Sequence, residues 1–273
     1  MQILKTTQEL IDYRKNLNGD IGFVPTMGAL HQGHASLISK SVSENKNTIV
    51  SVFLNPAQFL AGEDLDKYPK NEAGDIQICK YCGASAVFMP SVDEIYGKNE
   101  ASIQAPKELA SILEGVTRPG HFDGVCTVLN KFFNLIAPNR AYFGKKDAQQ
   151  LAIVKKMVES FYMNIEIVPC DIIRAKDGLA LSSRNSYLSE EELCDALKIS
   201  KSLIKASNLI KSGELNSGII QKAMRESLEP LKVDYTAIVN YNFENLDKIE
   251  VGNSIILVAA YVGKTRLIDN IWL

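Results

Sequence analysis

Short apolar runs alternate with segments of helical periodicity through about the first 170 residues, and this alternation constrains the fold more than any other feature. The runs at 21–24, 48–54, 84–89, 141–143 and 165–168 have the length and composition of buried strands. Apolar residues at helical spacing occupy the stretches between them. Because strands that alternate with helices form parallel sheets, we predict an α/β protein with a Rossmann-like, doubly wound parallel sheet.

The composition changes after about residue 185. Ser189 and Glu192 have the spacing of a capping box, and a Lys-rich helix with Gly213 as its stop follows. Further along, the pattern predicts a second helix at 216–228 and strands at 233–241, 254–261 and 265–272. We therefore predict a first domain over residues 1–184 and a smaller C-terminal α+β domain over 185–273.

Charge and hydropathy exclude several classes of protein. The 273 residues include 30 Lys and Arg against 32 Asp and Glu, for a net charge of -2, which argues against a nucleic-acid carrier. The N-terminus has no basic region followed by a long apolar run, so we expect no signal peptide. The sequence contains no stretch of about 18 consecutive apolar residues, so we predict no transmembrane helix. We expect a soluble cytoplasmic protein.

The five cysteines do not indicate a disulfide scaffold in a chain of this length. Cys79 and Cys82 form a C-x-x-C without a second cysteine pair or a nearby histidine at metal-ligand spacing. We interpret both as small apolar residues on one face of a helix.

Two of the three histidines stand at H-x-x-H spacing, His31 and His34, in a stretch that follows the first long apolar run. The pattern predicts a strand, a turn containing Gly28, and a helix that starts near Gly33. A helix N-terminus offers unpaired N–H groups and the positive end of its dipole to an anion. The histidines would add donors to a bound phosphate. A metal site is the alternative, but no third protein ligand is evident.

Polar residues also follow two other predicted strands. Asn55 and Gln58 come after the strand at 48–54, where neutral amides can bind hydroxyls or a carboxylate, although Asn and Pro are also ordinary turn residues. Residues 144–147 place a glycine, two lysines and Asp147 at a strand-to-helix junction. They could hold phosphate and ribose, or Asp147 could be a helix cap. Because ligands bind beyond the carboxyl ends of parallel strands, these motifs support a single site.

Two loops carry further candidates. Residues 181–185 combine serine hydroxyls with Arg184, a set suited to triphosphate oxygens or to a solvated linker. Residues 118–124 combine a cation, a histidine and two glycines, and we interpret them as a lid or a plain surface loop. Neither a P-loop nor a dinucleotide fingerprint occurs after a predicted strand. A nucleotide would therefore have to be held at the H-x-x-H helix start.

Together these motifs resemble the pantothenate synthetase family. The resemblance runs from about residue 21 to 188 and continues more loosely to the C-terminus. It rests on six motifs that occur in the family's order: 25–34, Asn55-Pro56-x-Gln58-Phe59, Asp64-Leu65-Asp66-x-Tyr68-Pro69, Arg118-Pro119-x-His121-Phe122-x-Gly124-Val125, Phe143-Gly144-x-Lys146-Asp147-x-Gln149-Gln150 and Asp177-Gly178-Leu179-Ala180-x-Ser182-Ser183-Arg184-Asn185.

The resemblance implies a ligase of the nucleotidyltransferase superfamily. Such a ligase joins pantoate to β-alanine in coenzyme A biosynthesis, converts ATP to AMP and pyrophosphate, and passes through pantoyl adenylate. Magnesium would accompany ATP, and the protein would be a cytoplasmic homodimer that binds neither nucleic acid nor membrane. Residues 1–184 would form the ATP- and pantoate-binding catalytic domain, and 185–273 would cover the active site.

The resemblance also assigns site residues, with no protein metal ligand among them. His34, His31, Lys146 and Arg184 would be catalytic, with His34 as proton donor. Gln58 would bind pantoate and β-alanine, and Gln150 pantoate. ATP would be bound by Met27, Gly28, Ala29, Leu30, His31, Gln32, Gly33, His34, Gly144, Lys145, Lys146, Asp147, Ile173, Leu181, Ser182, Ser183 and Arg184.

The chain departs from the family pattern at two of these positions. Lys145 stands where an acidic residue is common, which would add charge near the phosphates. Leu181 stands where methionine is common, and this exchange preserves volume. Two other functions stay open: another small nucleotidyltransferase, and a non-catalytic nucleotide-binding or sensor protein. Production of AMP that depends on pantoate and β-alanine separates the three.

Overall fold

The computed structural model describes residues 1–60 and 62–273. Contacts within the chain divide it into two compact units. The first unit comprises residues 1–145 and 149–171, and the second comprises 146–148 and 172–273. Of the helices in the described ranges, none combines the length and apolarity needed to cross a bilayer.

The first unit is built on a six-stranded sheet in which every paired neighbour is parallel. Its strands are β1 Gln2–Leu4, β2 Ile21–Thr26, β3 Asn47–Val52, β4 Ala86–Phe88, β5 Arg140–Gly144 and β6 Glu166–Cys170. Its helices are α1 Thr7–Lys15, α2 Gln32–Glu44, α3 Glu72–Tyr81, α4 Val92–Ile95, α5 Lys107–Ala110, α6 Glu114–Thr117, α7 His121–Ile136 and α8 Ala148–Ser160, the last beginning at a residue of the second unit.

The strand order β1-β4-β3-β2-β5-β6 makes the sheet doubly wound. From β2 the chain proceeds outward through β3 to β4, and it then returns to the other side of β2 for β5 and β6. The direction of winding therefore changes between β2 and β5. Open α/β sheets bind ligands beyond the carboxyl ends of the strands at such a switch point. The residues that follow β2 begin at Met27, at the start of the H-x-x-H stretch.

Apolar side chains cover both faces of this sheet, because successive strand residues point to opposite sides. On one face, Phe132 of α7 packs edge-on against Phe23 of β2, Phe88 of β4 and Phe53, which directly follows β3. The other face has a core cluster that joins β2, β3 and β4 to α2 and α3: Val24, Val50, Val87, Leu37, Ile38 and Cys79, with the half-buried Cys82 against it. The two cysteines of the C-x-x-C thus pack in the core as interpreted.

The second unit contains an antiparallel three-stranded sheet and two long helices. Its strands are β7 Lys232–Asn240, β8 Ser254–Val262 and β9 Thr265–Trp272, paired in sequence order. The helices α9 Glu190–Lys211 and α10 Ser217–Leu228 pack on one face through a shared apolar core. The Ser189–Glu192 capping box is present at the start of α9.

The predicted fold class is confirmed, with a parallel doubly wound sheet and a smaller antiparallel α+β part. One local prediction is wrong. Residues 121–124 are not in a surface loop but form the first turn of α7, which starts after Gly120 in a left-handed conformation. His121 and Phe122 are buried there. The edge strand β1 and the one-turn helices α4 to α6 were not predicted.

Candidate active site

The turn between β2 and α2 is held by a carboxylate from α3. Both oxygens of Asp75 accept main-chain hydrogen bonds, Oδ2 from Ala29 N–H at 3.1 Å and Oδ1 from Leu30 N–H at 2.7 Å. Ala29 has φ of 50°, and Gly28 has φ of 90° with little room for a side chain, since a Cβ would lie 3.1 Å from Asp75 Oδ2. Burial raises the pKa of Asp75, which is 2% exposed. The carboxyl group therefore fixes a turn whose backbone is otherwise unfavourable.

The two histidines of H-x-x-H cap α2. His31 is the N-cap, and its Nδ1 accepts the Gly33 N–H at 3.1 Å. His34 stands three residues later, and its Nδ1 accepts the His31 N–H at 3.3 Å. The ring centroids are 4.1 Å apart. Because each Nδ1 is an acceptor, the proton of each neutral ring is on Nε2. The cap therefore selects the tautomer in which both Nε2 atoms are donors.

Gln58 lies beside this turn, at the end of a short 3-10 helix over Pro56–Gln58. It is 8% exposed, and its Nε2 is 2.7 Å from the Met27 sulfur. Its Oε1 accepts from Asn55 Nδ2 at 3.1 Å, and Asn55 is itself held by Tyr96, whose hydroxyl donates to Oδ1 at 2.7 Å. The structure thus brings Met27 and Gln58 together and fixes the orientation of the Gln58 amide.

The main chain of Gln58 is held by residues from the Arg118–Gly124 motif. Arg118 donates to both carboxylate oxygens of Glu63, at 2.7 and 2.8 Å, and to the Gln58 carbonyl at 3.2 Å. His121 Nδ1 is 2.8 Å from the same carbonyl, and its Nε2 is 3.0 Å from Arg118. Burial and the adjacent guanidinium lower the pKa of His121 to about 4, so the ring is neutral at pH 7. Gly124 lets α7 approach, since a Cβ there would lie 2.2 Å from the Ala57 carbonyl oxygen.

The two adjacent glutamines at the start of α8 have different surroundings. The Gln149 side chain is buried and donates to the carbonyls of Leu109 and Ile112, while its Oε1 accepts from Glu114 N–H. Gln149 therefore holds the segment around α5 and α6. Gln150, the residue predicted to bind pantoate, is half-buried.

In the second unit, Lys146 and Asp147 belong to a 3-10 turn over Lys145–Asp147, and Ala148 begins α8. Lys146 Nζ is 3.5 Å from Asp147 Oδ1, and the Lys146 carbonyl accepts from Asn270 Nδ2 at 2.8 Å. The preceding Lys145, in the first unit, forms an ion pair with Asp171 at 2.6 Å. This carboxylate offsets the charge that Lys145 adds relative to the family pattern.

The loop with Leu181–Arg184 follows a small hairpin of the second unit. Leu181 N–H donates to the Ile173 carbonyl at 3.0 Å, and Arg174 pairs with Ala180 in an antiparallel bridge. Ser182 caps the short 3-10 helix Ser183–Tyr187 by accepting the Arg184 N–H. The predicted residues of this loop and Ile173 are therefore neighbours in one hairpin.

The supporting residues that were not predicted from the sequence include Asp75 and the pair Asp269–Asn270. Asp75 had one readable signal, since an acidic residue four positions before Cys79 stands on the apolar face of α3. Asp269 and Asn270 lie in a strand that periodicity predicted, and nothing in their spacing indicates a partner more than 90 residues away.

Across the described ranges, 1–60 and 62–273, the structure contains no group of three or more His, Cys, Asp or Glu residues placed to hold a metal ion. The Asp75 carboxylate is engaged by main-chain N–H groups. The histidines are engaged by the α2 cap.

Comparison with known proteins identifies the family. A family profile described as pantoate-beta-alanine ligase matches residues 2–272. The chain belongs to the pantoate–β-alanine ligase family. Among curated members, it is 68% identical to the pantothenate synthetase of Campylobacter fetus over 273 residues, and the match covers all of both chains. It is 50% identical to the pantothenate synthetase of Helicobacter pylori over 275 residues, again with full coverage.

Solved structures of the same family share the fold. A pantothenate synthetase from Thermus thermophilus has a TM-score of 0.94 and 38% identity, with 99% of each chain covered. A pantoate-beta-alanine ligase from Francisella tularensis has a TM-score of 0.83 and 37% identity, covering 100% of this chain and 97% of that one. The Francisella enzyme is described as complexed with beta-gamma ATP and β-alanine.

Proposed function

We propose that this protein ligates pantoate to β-alanine with ATP as the energy source, forming pantothenate, AMP and pyrophosphate. The observation that carries the proposal is full-length membership of the pantoate–β-alanine ligase family together with the histidine-capped helix at the switch point of the sheet. ATP and β-alanine are bound by a relative. Pantoate and the adenylate intermediate are implied by the family.

In the first step, a pantoate carboxylate oxygen attacks the α-phosphorus of ATP, and the bond to the pyrophosphate oxygen breaks. This transfer requires alignment of two anions and stabilisation of the charge on the leaving group. The start of α2 suits that task, because its dipole and its histidine Nε2–H groups favour negative charge. Lys146 and Arg184 are the cations that we assign to the same phosphates.

In the second step, the β-alanine amine attacks the carbonyl carbon of pantoyl adenylate, and AMP leaves as the amine loses a proton. We assign Gln58 to pantoate and β-alanine. Its amide is oriented by Asn55 and Met27, so it can discriminate among hydroxyl-bearing ligands without adding charge. Gln150 is the second residue assigned to pantoate.

Magnesium enters this proposal as the counter-ion of ATP. Mg²⁺ is commonly held by substrate phosphates, waters and one or two protein oxygens, and such a site does not require a cluster of protein ligands. A homodimeric, cytoplasmic enzyme with residues 1–184 as its catalytic part completes the proposal.

The deciding experiment measures AMP formation with ATP and magnesium under three conditions: no addition, pantoate alone, and pantoate with β-alanine. We expect sustained AMP production only with both substrates, and exchange of labelled pyrophosphate into ATP with pantoate alone. AMP or nucleotide transfer without β-alanine dependence would indicate another nucleotidyltransferase. ATP binding without turnover would indicate a sensor. If pantothenate forms but labelled pyrophosphate does not exchange into ATP, the reaction is concerted and has no adenylate intermediate.

A further inference from the structure

We propose that Asp269 and Asn270, consecutive residues of β9, are positioning residues for the nucleotide phosphates. Each holds one of the two second-unit segments that carry the assigned cations Lys146 and Arg184. This inference rests on the proposed function for its readout, and it gives β9 a role beyond its place in the sheet.

Asn270 holds the Lys146 segment. Its Nδ2 donates to the Lys146 carbonyl at 2.8 Å, and the residue is 1% exposed. The hydrogen bond spans 124 positions of sequence. A buried amide donor on a main-chain carbonyl fixes the backbone from which the half-buried Lys146 extends, and removal of the donor costs free energy.

Asp269 holds the hairpin that leads to Arg184. Its two carboxylate oxygens accept from Arg174, at 2.6 Å from Nη1 and 3.0 Å from Nη2, and it is 3% exposed. Arg174 also donates to the carbonyls of Gly178 and Asn270, each at 3.2 Å. Because Arg174 belongs to the hairpin whose continuation is Leu181–Arg184, the ion pair ties that loop to β9.

The two contacts lie on opposite faces of one strand. Asp269 stands two residues after Leu267, which packs in the core with α9 and α10, so Asp269 points to the same, helical face. Asn270 points to the other face. The Asn270 N–H donates to Asp269 Oδ1 at 2.8 Å, so the two residues are also linked to each other. A rigid strand thus sets the spacing between two phosphate-binding segments, which is how positioned catalytic groups are held within narrow tolerances.

The main test replaces Asn270. We expect Asn270→Ala to lower pantoate-dependent pyrophosphate exchange on the order of 10-fold to 100-fold, the scale of a small misplacement of a catalytic group. The pantoate KM should stay within a few-fold of the wild-type value. Asn270→Asp keeps the size of the side chain but lacks the N–H donor, and it should lower exchange at least as much. It keeps the test decisive if the alanine variant does not fold.

Asn240→Ala is the matched control. Asn240 is a buried asparagine of the same sheet, and its amide bonds stay within the turn after β7, to Asn242 and Glu244. It should lose thermal stability while its exchange rate per folded molecule stays near wild type. Equal losses of exchange in the Asn270→Ala and Asn240→Ala variants would overturn the proposal, because the sheet as a whole would then be responsible.

A double-mutant cycle separates positioning from general stability. In a Lys146→Ala background, Asn270→Ala should lower exchange less than about 2-fold further, because the group it positions is absent. Likewise, in an Arg184→Ala background, Asp269→Asn should lower exchange less than about 2-fold further. The control for Asp269→Asn is Asp234→Asn, which removes the ion pair to Arg266 in the same sheet. Fully additive losses would contradict the proposal.

The activity of the wild-type protein separates failure of the proposed function from failure of the proposed role of β9. If it shows neither pantoate-dependent exchange nor pantothenate formation, the proposed function fails, and calorimetric ATP affinity becomes the readout for β9. On that readout Asn270→Ala should weaken ATP binding about 10-fold or more relative to Asn240→Ala. If the wild-type protein exchanges pyrophosphate and Asn270→Ala does so equally well, only the role of β9 is wrong.

Discussion

At the scale of single residues, His31 and His34 combine an observed structural role, the cap of α2, with the phosphate-binding role that we propose for them. Their Nδ1 atoms cap α2, and this determines that their Nε2 atoms carry the protons. Structural and chemical roles are therefore assigned to different atoms of the same rings, and substitutions can separate them.

His34→Gln should separate the cap from the donor. Glutamine three residues after an N-cap is a standard capping-box residue, so the melting temperature should stay near wild type. The imidazole Nε2–H is lost, and an amide cannot give up a proton as an imidazole can, so adenylation should fall on the order of 10²-fold. His34→Ala should show the same kinetic loss with an additional stability cost of about 1 kcal/mol. Wild-type kcat in the glutamine variant would remove His34 from catalysis.

The adjacent pair Gln149 and Gln150 allows a matched comparison. Gln150→Ala should raise the pantoate KM and leave the ATP KM within a few-fold, because a site that binds hydroxyls loses a partner. Gln149→Ala removes three hydrogen bonds to the segment around α5 and α6, so it should lower the melting temperature. Steady-state kinetics and thermal unfolding check both. A raised ATP KM with unchanged pantoate KM would move Gln150 to the nucleotide site.

His121 should make stability depend on pH. Its pKa is lowered to about 4 in the folded state, against about 6.5 in an unfolded chain, so below pH 6.5 the unfolded state binds the additional proton. The stabilising contribution is complete above pH 6.5 and is lost as pH falls toward 4, at up to about 1.4 kcal/mol per unit. Urea unfolding at pH 7 and pH 5 should show a smaller drop for His121→Gln than for wild type. Parallel curves would contradict this assignment.

The site residues that were predicted from the sequence and those that were missed differ in how far along the chain their hydrogen-bond partners lie. The histidine cap and the Ser182 cap are local, because donor and acceptor lie within three residues of each other. Asp75 acts on a turn 45 and 46 positions earlier, and Asn270 on a carbonyl 124 positions earlier. A single sequence carries no signal for contacts of that separation. Only the caps, whose donor and acceptor are close in sequence, could be predicted.

At the scale of elements, the close contact of α7 with the Pro56–Gln58 turn positions the Gln58 amide. Arg118, at the approach to α7, and His121, in its first turn, both contact the Gln58 carbonyl, and Asn55 donates to the Gly124 carbonyl at 3.1 Å. The helix start is thus a support for the predicted pantoate residue.

Gly124→Ala should disrupt this contact. At a helix position with room for a side chain, replacing glycine by alanine increases the free energy of unfolding by about 1 kcal/mol. Here the new Cβ would lie 2.2 Å from a main-chain oxygen of Ala57, so we expect a net loss of about 1–3 kcal/mol and a raised pantoate KM. Thermal unfolding and steady-state kinetics measure the two effects. Asn134→Ala, at an exposed position of α7, is the control and should leave both nearly unchanged. A stabilised Gly124→Ala variant would contradict the close packing.

Element prediction succeeded where the periodic pattern was long. The strands of the C-terminal sheet and the helix α9 have enough residues to establish alternation or helical spacing, and their predicted ends are close to the observed ones. β1 has only three residues, and α4 to α6 have four each, which is too few for a period. The start of α7 was missed because Pro119 and Gly120 indicate a turn, and that turn initiates the helix.

At the scale of the whole molecule, the fold class followed from the sequence because strand–helix alternation admits few topologies. The strand order placed the H-x-x-H stretch at the switch point, which the sequence alone could only suggest. The compact units were not predictable, since residues 146–148 group with the C-terminal part although the chain on both sides belongs to the first unit. The functional division at 184/185 stays a prediction.

The hydrogen bond from Asn270 to the Lys146 carbonyl bears on how positions 146 and 270 can change between relatives. The acceptor is a main-chain atom, which is present whatever side chain occupies position 146. Recombination that joins residues 172–273 of one relative to the preceding residues of another would therefore preserve this contact without matched substitutions. The contact therefore constrains the amide at position 270 and not the side chain at 146, which is constrained instead by the phosphate-binding role that we assign to it.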